Sequence, residues 1–375
     1  MSDPTSPAGP PAEITHLVRE RTEARTRRDW ALADALKAQI EAAGWRVVDR
    51  GNRTSVGLAT PPSVEVDGEL RYGSAAAVPS LLYLPATTGW TVVVLASEEP
   101  GRMSRLLAAL RVHAPAGTQV IVVANDPSAS QVAALAPGAP DRAPIGGTAP
   151  EVLRTSTRLG YATALDVGLQ RCAGELVLLA DGTAEPLGDA LTPLAAALSD
   201  ATVAAAGGFG LVSAEAGPLR PGALERMDEV PGPEGAAVAE ATALEGAWLA
   251  FRRSDYLELG PLDEHFVTPS WLDVWWTLRL RAGAEPAGSE YVEPADGDEG
   301  DAAAEPAEAG RADERVATDG EAGPPQLDFP APRRAVRAEL PLERDETAWP
   351  PDRSRLNRRN MYRVLDRFGW RDDLA

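Results

Sequence analysis

Residues 158–186, RLGYATALDVGLQRCAGELVLLADGTAEP, limit what this chain can fold into more than any other stretch. Gly160 opens a helical run, Ala173-Gly174-Glu175 reads as a tight turn, and Val177, Leu178, Leu179 and Ala180 follow as a short apolar run. Such a run, bounded by turn signals, marks a strand covered on both faces, as in a parallel sheet flanked by helices. Asp181 then stands at the strand's exit, where an open α/β sheet places its ligands. A carboxylate there suits a hard divalent cation (Mg2+ or Mn2+) bridging phosphates. With Gly182 after it, the same Asp also reads as a simple turn residue.

The alternation extends in both directions. Thr91 to Ala96 (TVVVLA) reads as a strand, SRLLAALRVHA as a helix and QVIVVAN as a second strand. After ELVLLAD come a helix around Ala190 to Leu198 and a further strand, VAAAGGF. Strands separated by helical patterns of this length predict a doubly wound, mostly parallel sheet of the α/β class. Phosphate loops of the GxGxxG and GxxxxGK[ST] types are both missing, which argues against a dinucleotide oxidoreductase and a P-loop NTPase.

At 375 residues the chain has room for one large or two ordinary domains plus linkers. The net charge of −20 is concentrated. Between Ala284 and Pro325 there are 13 Asp or Glu against two Arg, Arg311 and Arg315, and Tyr291 is the one aromatic. Such a stretch buries too little apolar surface to offset the entropy of ordering, so a disordered acidic insert is expected over 284–332. From Arg333 to Arg371 the sign reverses, with 11 Arg against six Asp or Glu. Lys37 is the one lysine, so this Arg richness reflects composition bias in part. A single cysteine, Cys172, excludes an internal disulfide framework. With no signal-like N-terminus and no apolar stretch of membrane-spanning length, a cytoplasmic protein is expected.

The remaining boundaries follow from pattern. Residues 1–12 are expected to be disordered, 13–60 a helical hairpin module, 61–89 a linker or edge segment, 90–283 the α/β domain, and 333–375 a helical tail. In the module, Ile14, Leu17 and Val18 share a helical face. A second helix, Asp29 to Ala43, stops at Gly44 before a strand, WRVVDR. The stretch RRDWALADALKAQIEAAGWRVVDRGNRTSV resembles the C-terminal segment of bacterial cysteinyl-tRNA synthetases. The signatures of cysteine activation are absent, and with one Cys there is no zinc-ligand cluster, so aminoacylation is excluded. A packing or oligomerisation module is the default reading, with RNA contact the alternative.

The central region resembles family 2 glycosyltransferases of the GT-A fold. TVVVLASEE stands for the family's opening strand, and QVIVVANDPSAS for the strand whose Asp grips the nucleobase. LGYATALDVGLQRCAGELVLLAD stands for the helix–strand run that ends in the metal motif. EGAWLAFRRSDYLELGPLDEHF matches the acceptor-side block, and SWLDVWWTLRLRAG the helix that carries the catalytic base. The resemblance implies a nucleotide-sugar donor, a divalent cation, and transfer with inversion to a saccharide, lipid-linked or protein acceptor. It implies Asp273 as general base, an Asp181/Thr183 metal motif, and donor contacts from Ser97, Glu98, Asn125, Asp126, Arg158 and Asp166. Acceptor-side contacts are implied for Glu245, Gly246, Trp248 and Trp271.

Several positions depart from the family's pattern. The second Asp of the metal motif is Thr183, the nucleobase Asp aligns with Ala124, and the helix Asn aligns with Asp166. The late His beside the diphosphate is missing from ERDETAW, residues 343–349, and His16, His113 and His265 fall elsewhere. The C-terminal RSRLNRRNMYRVLDRFGW offers Arg358, Arg359 and Arg363 either to a solvated helix face, to a diphosphate, or, ranked last, to nucleic acid. Asp273 itself reads either as the base or as a first-turn carboxylate favoured by the helix dipole. Two function classes therefore stand: an active inverting transferase, and a catalytically silent nucleotide-binding or scaffold protein.

Overall fold

A computed structural model describes residues 10–50, 53–96, 100–213, 219–233, 236–284, 331–345, 358–369 and 371–374. They fall into two units, one within Met1–Pro61 and the other within Pro62–Glu285 and Pro330–Ala375. The expected disorder at residues 1–9 and through most of the acidic stretch lies outside the described residues.

In the first unit α1 (Ala12–Thr26) and α2 (Trp30–Ala42) are followed by β1 (Trp45–Arg50) and β2 (Arg53–Leu58). Asp29 caps α2 by accepting the Leu32 amide at 3.2 Å. Gly44, at φ 80°, turns the chain out of the helix. Ile14, Ile40 and Val47 are the buried core of this unit, with Leu17, Val18, Trp45 and Val56 packed around them. The sequence reading made one strand here; the structure pairs β1 with β2 as an antiparallel hairpin.

The second unit opens with β3 (Val64–Val66), β4 (Glu69–Tyr72) and β5 (Thr88–Leu95). Next come α3 (Pro100–His113), β6 (Gln119–Ala124), α4 (Ala129–Ala134), β7 (Glu151–Thr155), α5 (Tyr161–Leu169) and β8 (Gly174–Ala180). The chain continues through β9 (Ala184–Pro186), α6 (Leu191–Leu198), β10 (Val203–Gly207), β11 (Gly210–Ser213), α7 (Pro221–Glu225) and β12 (Met227–Glu229). It then runs through β13 (Val238–Ala241), β14 (Ala243–Leu244), β15 (Trp248–Arg252), α8 (Arg253–Leu259) and α9 (Leu272–Ala282). Finally come β16 (Arg334–Ala338), β17 (Leu342–Arg344) and a C-terminal helix, Arg358–Phe368.

Ten strands form the main sheet in the order β13-β16-β10-β15-β8-β5-β6-β7-β4-β3. Its centre, from β8 through β5, β6 and β7 to β4, is parallel, and β15 runs antiparallel between β8 and β10. This is the doubly wound, mostly parallel α/β sheet expected from the alternating pattern. Successive residues of a strand face opposite sides. Val93, Ile121, Val123 and Val177 therefore join α5, α8, α9 and the C-terminal helix in one core. Val92, Val94, Val122 and Leu178 join α3 and α6 in the other. Gly168 lets α5 lie on the sheet, since a Cβ there would come within 2.7 Å of Val93 and 2.8 Å of Val123.

Two segments sharpen the expected boundaries. Residues 61–89, expected as a linker or edge segment, place β3 at the sheet's edge, with β4 paired in parallel with β7. The run VEVDGELRY hid this because its apolar residues are few and half exposed. The tail is not wholly helical, for β16 lies inside the sheet between β10 and β13. Its Ala335, Val336 and Ala338 are buried although the segment reads as Arg-rich.

Candidate functional site

Asp181 leaves the end of β8 into a turn that its own carboxylate closes. Its Oδ1 accepts the Thr183 amide at 2.9 Å and also the Thr183 hydroxyl. Gly182 is packed so tightly that a Cβ would lie 2.6 Å from Cβ of Arg102, at the start of α3. The turn is extended by β9, which pairs with β17, and the Asp345 amide donates to the Thr183 carbonyl at 2.8 Å. Arg102 pairs with Asp345 at 3.3 Å. The ERDETAW stretch thus begins beside the Asp181 turn; its residues 346–349 lie outside the described residues.

Asp273 occupies the first turn of α9, a helix buried on most of its circumference. Its Oδ2 accepts the Gly246 amide at 2.9 Å and its Oδ1 the Val274 amide at 2.9 Å. One turn on, the Thr277 hydroxyl donates to the Asp273 carbonyl at 2.8 Å and accepts the Leu244 amide at 3.2 Å. The helix is therefore fastened at two points to the strand-to-strand connection between β14 and β15. Upstream, Asn360 of the C-terminal helix donates to the Ser270 carbonyl at 2.9 Å, holding the chain that enters α9.

Asp181 and Asp273 line one pocket of about 80 Å³, together with Tyr161, Gly246, Trp276 and apolar walls that include Leu165, Leu179 and Leu249. Burial raises the Asp181 carboxyl above the usual carboxylate range. The hydrogen bonds from Thr183 oppose that rise, Asp273 adds to it, and Arg102 counters it. Tyr161 is held firmly as a neutral phenol by burial and then by the charges of Asp181 and Asp273. Neither Tyr161 nor Trp276 was singled out from sequence. Tyr161 sits beside Gly160 in a run that reads as an ordinary apolar helix face.

The other implied residues divide sharply. Gly246 reaches the pocket and orients Asp273. Trp248 does not: it is fully buried in β15, and its indole donates to the Ala184 carbonyl at 3.1 Å. Trp271 is 2% exposed at the N-cap of α9, in the left-handed region at φ 67°, and belongs to the core. Glu245 is buried and ion-paired with Arg344, which also lies over the Phe209 ring. None of these three lines the pocket, and each is packed in the interior. The strand's alternation turns Trp248 to the face away from the pocket.

Among the residues implied on the donor side, Asp166 also lies off the pocket lining. It is 4% exposed in α5, and its Oδ1 accepts the Tyr256 hydroxyl at 2.7 Å and the Leu262 amide at 3.2 Å. Burial pushes its carboxyl up to about 7. Asn125 is engaged: its side chain donates to the Leu159 carbonyl and accepts the Leu159 amide and the Thr155 hydroxyl. It ties the exits of β6 and β7 together. Asp126 is exposed at φ 54°, its amide donating to Thr155, and Arg158 is exposed. Ser97 and Glu98 lie outside the described residues. Arg358 and Arg359 are exposed, and Arg363 lies 3.8 Å from Asp263.

The fold-implied cation finds a thin donor set. Among the described residues no group of three His, Cys, Asp or Glu converges on one point. Asp181, with the Thr183 hydroxyl beside it, fits a hard cation only where phosphate oxygens and water complete the shell, the ordinary arrangement for Mg2+. No helix among the described residues is long and apolar enough to cross a membrane.

No known protein-family profile matches the chain. Cysteine–tRNA ligase of Opitutus terrae is 50% identical over 51 residues, which is 13% of this chain and 11% of that protein. A solved mannosyltransferase from Pyrobaculum calidifontis, in complex with GDP-Man and Mn2+, is 22% identical over 56% of each chain, with a TM-score of 0.39. GalNAc-T7 with UDP, GalNAc and Mn2+ is 16% identical over 52% of this chain and 41% of its own, with a TM-score of 0.39. TarS of S. aureus is 16% identical over 52% of this chain and 33% of its own, with a TM-score of 0.35. The chain thus spans at most 56% of the length of these solved proteins and about a tenth of the ligase.

Proposed function

We propose that the chain is a GT-A glycosyltransferase that moves a sugar from a nucleotide-sugar donor to an acceptor hydroxyl with inversion. One observation carries this reading: Asp181, at the exit of a central parallel strand, and Asp273, on the helix the motif resemblance marks for the base, line the same pocket. Ligands of open α/β sheets bind at such strand exits. Asp273 suits a base because its Oδ2 is fixed by the Gly246 amide while its helix is pinned by Thr277. In the proposed step the acceptor oxygen forms its bond to the anomeric carbon as the carbon–diphosphate bond breaks. The acceptor proton passes to Asp273, and the nucleoside diphosphate departs. Asp181 and Thr183 would hold a divalent cation, which supplies charge stabilisation to the leaving diphosphate. The family 2 assignment rests on the five sequence segments.

The test is sugar transfer or donor hydrolysis with UDP-, GDP- and dTDP-sugars in the presence of Mn2+. Asp273→Asn preserves an oxygen for the Gly246 amide and should keep nucleotide binding while lowering turnover at least about 100-fold. Asp181→Ala should weaken nucleotide binding in Mn2+ and leave metal-free binding unchanged. Equal turnover in wild type and Asp273→Asn would remove Asp273 from the base role.

A second reading has one observation in its favour: the Asp181 carboxylate is engaged from within its own turn by both the amide and the hydroxyl of Thr183. That favours a silent nucleotide-binding or scaffold protein. Nucleotide binding without any turnover of the donors above would select it.

A further inference from the structure

Tyr161 is the unexplained group in the pocket. Its ring is partly covered, it lines the same small space as Asp181 and Asp273, and both of their charges act on it. Among the described residues its hydroxyl makes no hydrogen bond. A phenol that lines a pocket together with two carboxylates is a hydrogen-bond donor available to whatever enters it. Its backbone is fixed: the Tyr161 amide donates to the Val267 carbonyl at 3.2 Å, and the next amide, of Ala162, to the Phe266 carbonyl at 3.0 Å. The ring therefore starts from a rigid point at the beginning of α5.

The three polar groups define what they can take. The phenol gives a proton in a hydrogen bond, and the two carboxylates accept one. An anion beside Tyr161 and Asp273, out of reach of a cation held by Asp181, would face carboxylate charge. A neutral hydroxyl, which both accepts and donates, satisfies the set, and the walls of Leu165, Leu179 and Leu249 suit the C–H face of a sugar ring. We propose that Tyr161 is a sugar-recognition residue, its phenol donating to a hydroxyl of the carbohydrate that occupies the pocket beside Asp273. The inference takes from the reading above that this pocket is the sugar site. A phenylalanine at 161 would keep the packing and lose the recognition, so the side-chain oxygen is a determinant of specificity and not of fold.

The test compares wild type with Tyr161→Phe by calorimetry, using UDP-glucose, GDP-mannose, UDP and GDP with Mn2+. Saturation-transfer NMR with methyl glucoside and methyl mannoside runs in parallel. Loss of one neutral hydrogen bond should weaken the nucleotide sugar by about three- to tenfold and leave the bare nucleotide unchanged. If wild type and variant bind the nucleotide sugar equally, recognition by Tyr161 is overturned and the transferase reading stands. If wild type binds no nucleotide sugar yet shows saturation transfer to a methyl glycoside that the variant loses, the transferase reading falls and the recognition stands. If neither probe binds wild type, both fall. A drop in the variant's melting midpoint of more than about 5 °C would make the hydroxyl a fold contact and overturn the proposal.

Discussion

Asp166 carries a pH dependence that the rest of the site does not require. Its carboxyl is pushed up to about 7 by burial, against an ordinary value near 3.8, because the charged form has lost its water. A raised acid binds a proton more tightly when folded than when unfolded. Its effect on stability is therefore neutral below about pH 4, and stability falls as pH rises from there through 7. Asp166→Asn keeps an oxygen to accept from Tyr256 and Leu262, and it should flatten this slope. At pH 8 the variant should be the more stable by a few kcal/mol in urea unfolding, and indistinguishable at pH 4. An unchanged slope would mean that another group sets it. The same residue shows what a sequence can and cannot disclose about a site. The positions of Asp181 and Asp273 are legible because they follow from local facts, a strand exit and a helix first turn. Asp166, Trp248 and Glu245 stand in matching motifs, but their roles depend on which way the side chain faces and on partners far along the chain. Tyr256 and Arg344 are 90 and 99 residues away from Asp166 and Glu245.

Elements divide in the same way. The strands β5, β6 and β8 announce themselves as apolar runs because helices cover both their faces. The strands β3, β4 and β16 carry short, mixed runs and owe their strand state to neighbours already in the sheet. Propensity alone does not specify such strands. The pairing of β17 with β9 is likewise invisible in sequence, yet it brings Arg344 onto the buried Glu245. Breaking that pair from one side leaves a charge stranded in the interior. Arg344→Ala should cost about 3–5 kcal/mol in chemical unfolding, and the double change Arg344→Met with Glu245→Gln should recover much of it. If the single change costs less than about 1 kcal/mol, water or another cation serves Glu245, and β17 is a dispensable strap.

At the scale of the whole molecule, the sheet is completed by a strand that arrives after the acidic stretch. The chain leaves α9 near Gly283 and re-enters beside it: the Arg333 amide donates to the Arg281 carbonyl at 2.9 Å, and the Arg281 guanidinium returns the bond at 3.3 Å. With the two ends side by side, a flexible linker between them would cost loop-closure entropy, which grows by only about 0.6 kcal/mol per doubling of length. Replacing Pro286–Phe329 with a short Gly-Ser linker should leave the melting midpoint within about 3 °C of the full chain by calorimetry. A larger fall would assign folding contacts to the replaced residues. The adjacency has a consequence for redesign as well: the sheet should be far more sensitive to the contacts joining Arg281 and Arg333 than to the number of residues placed between them.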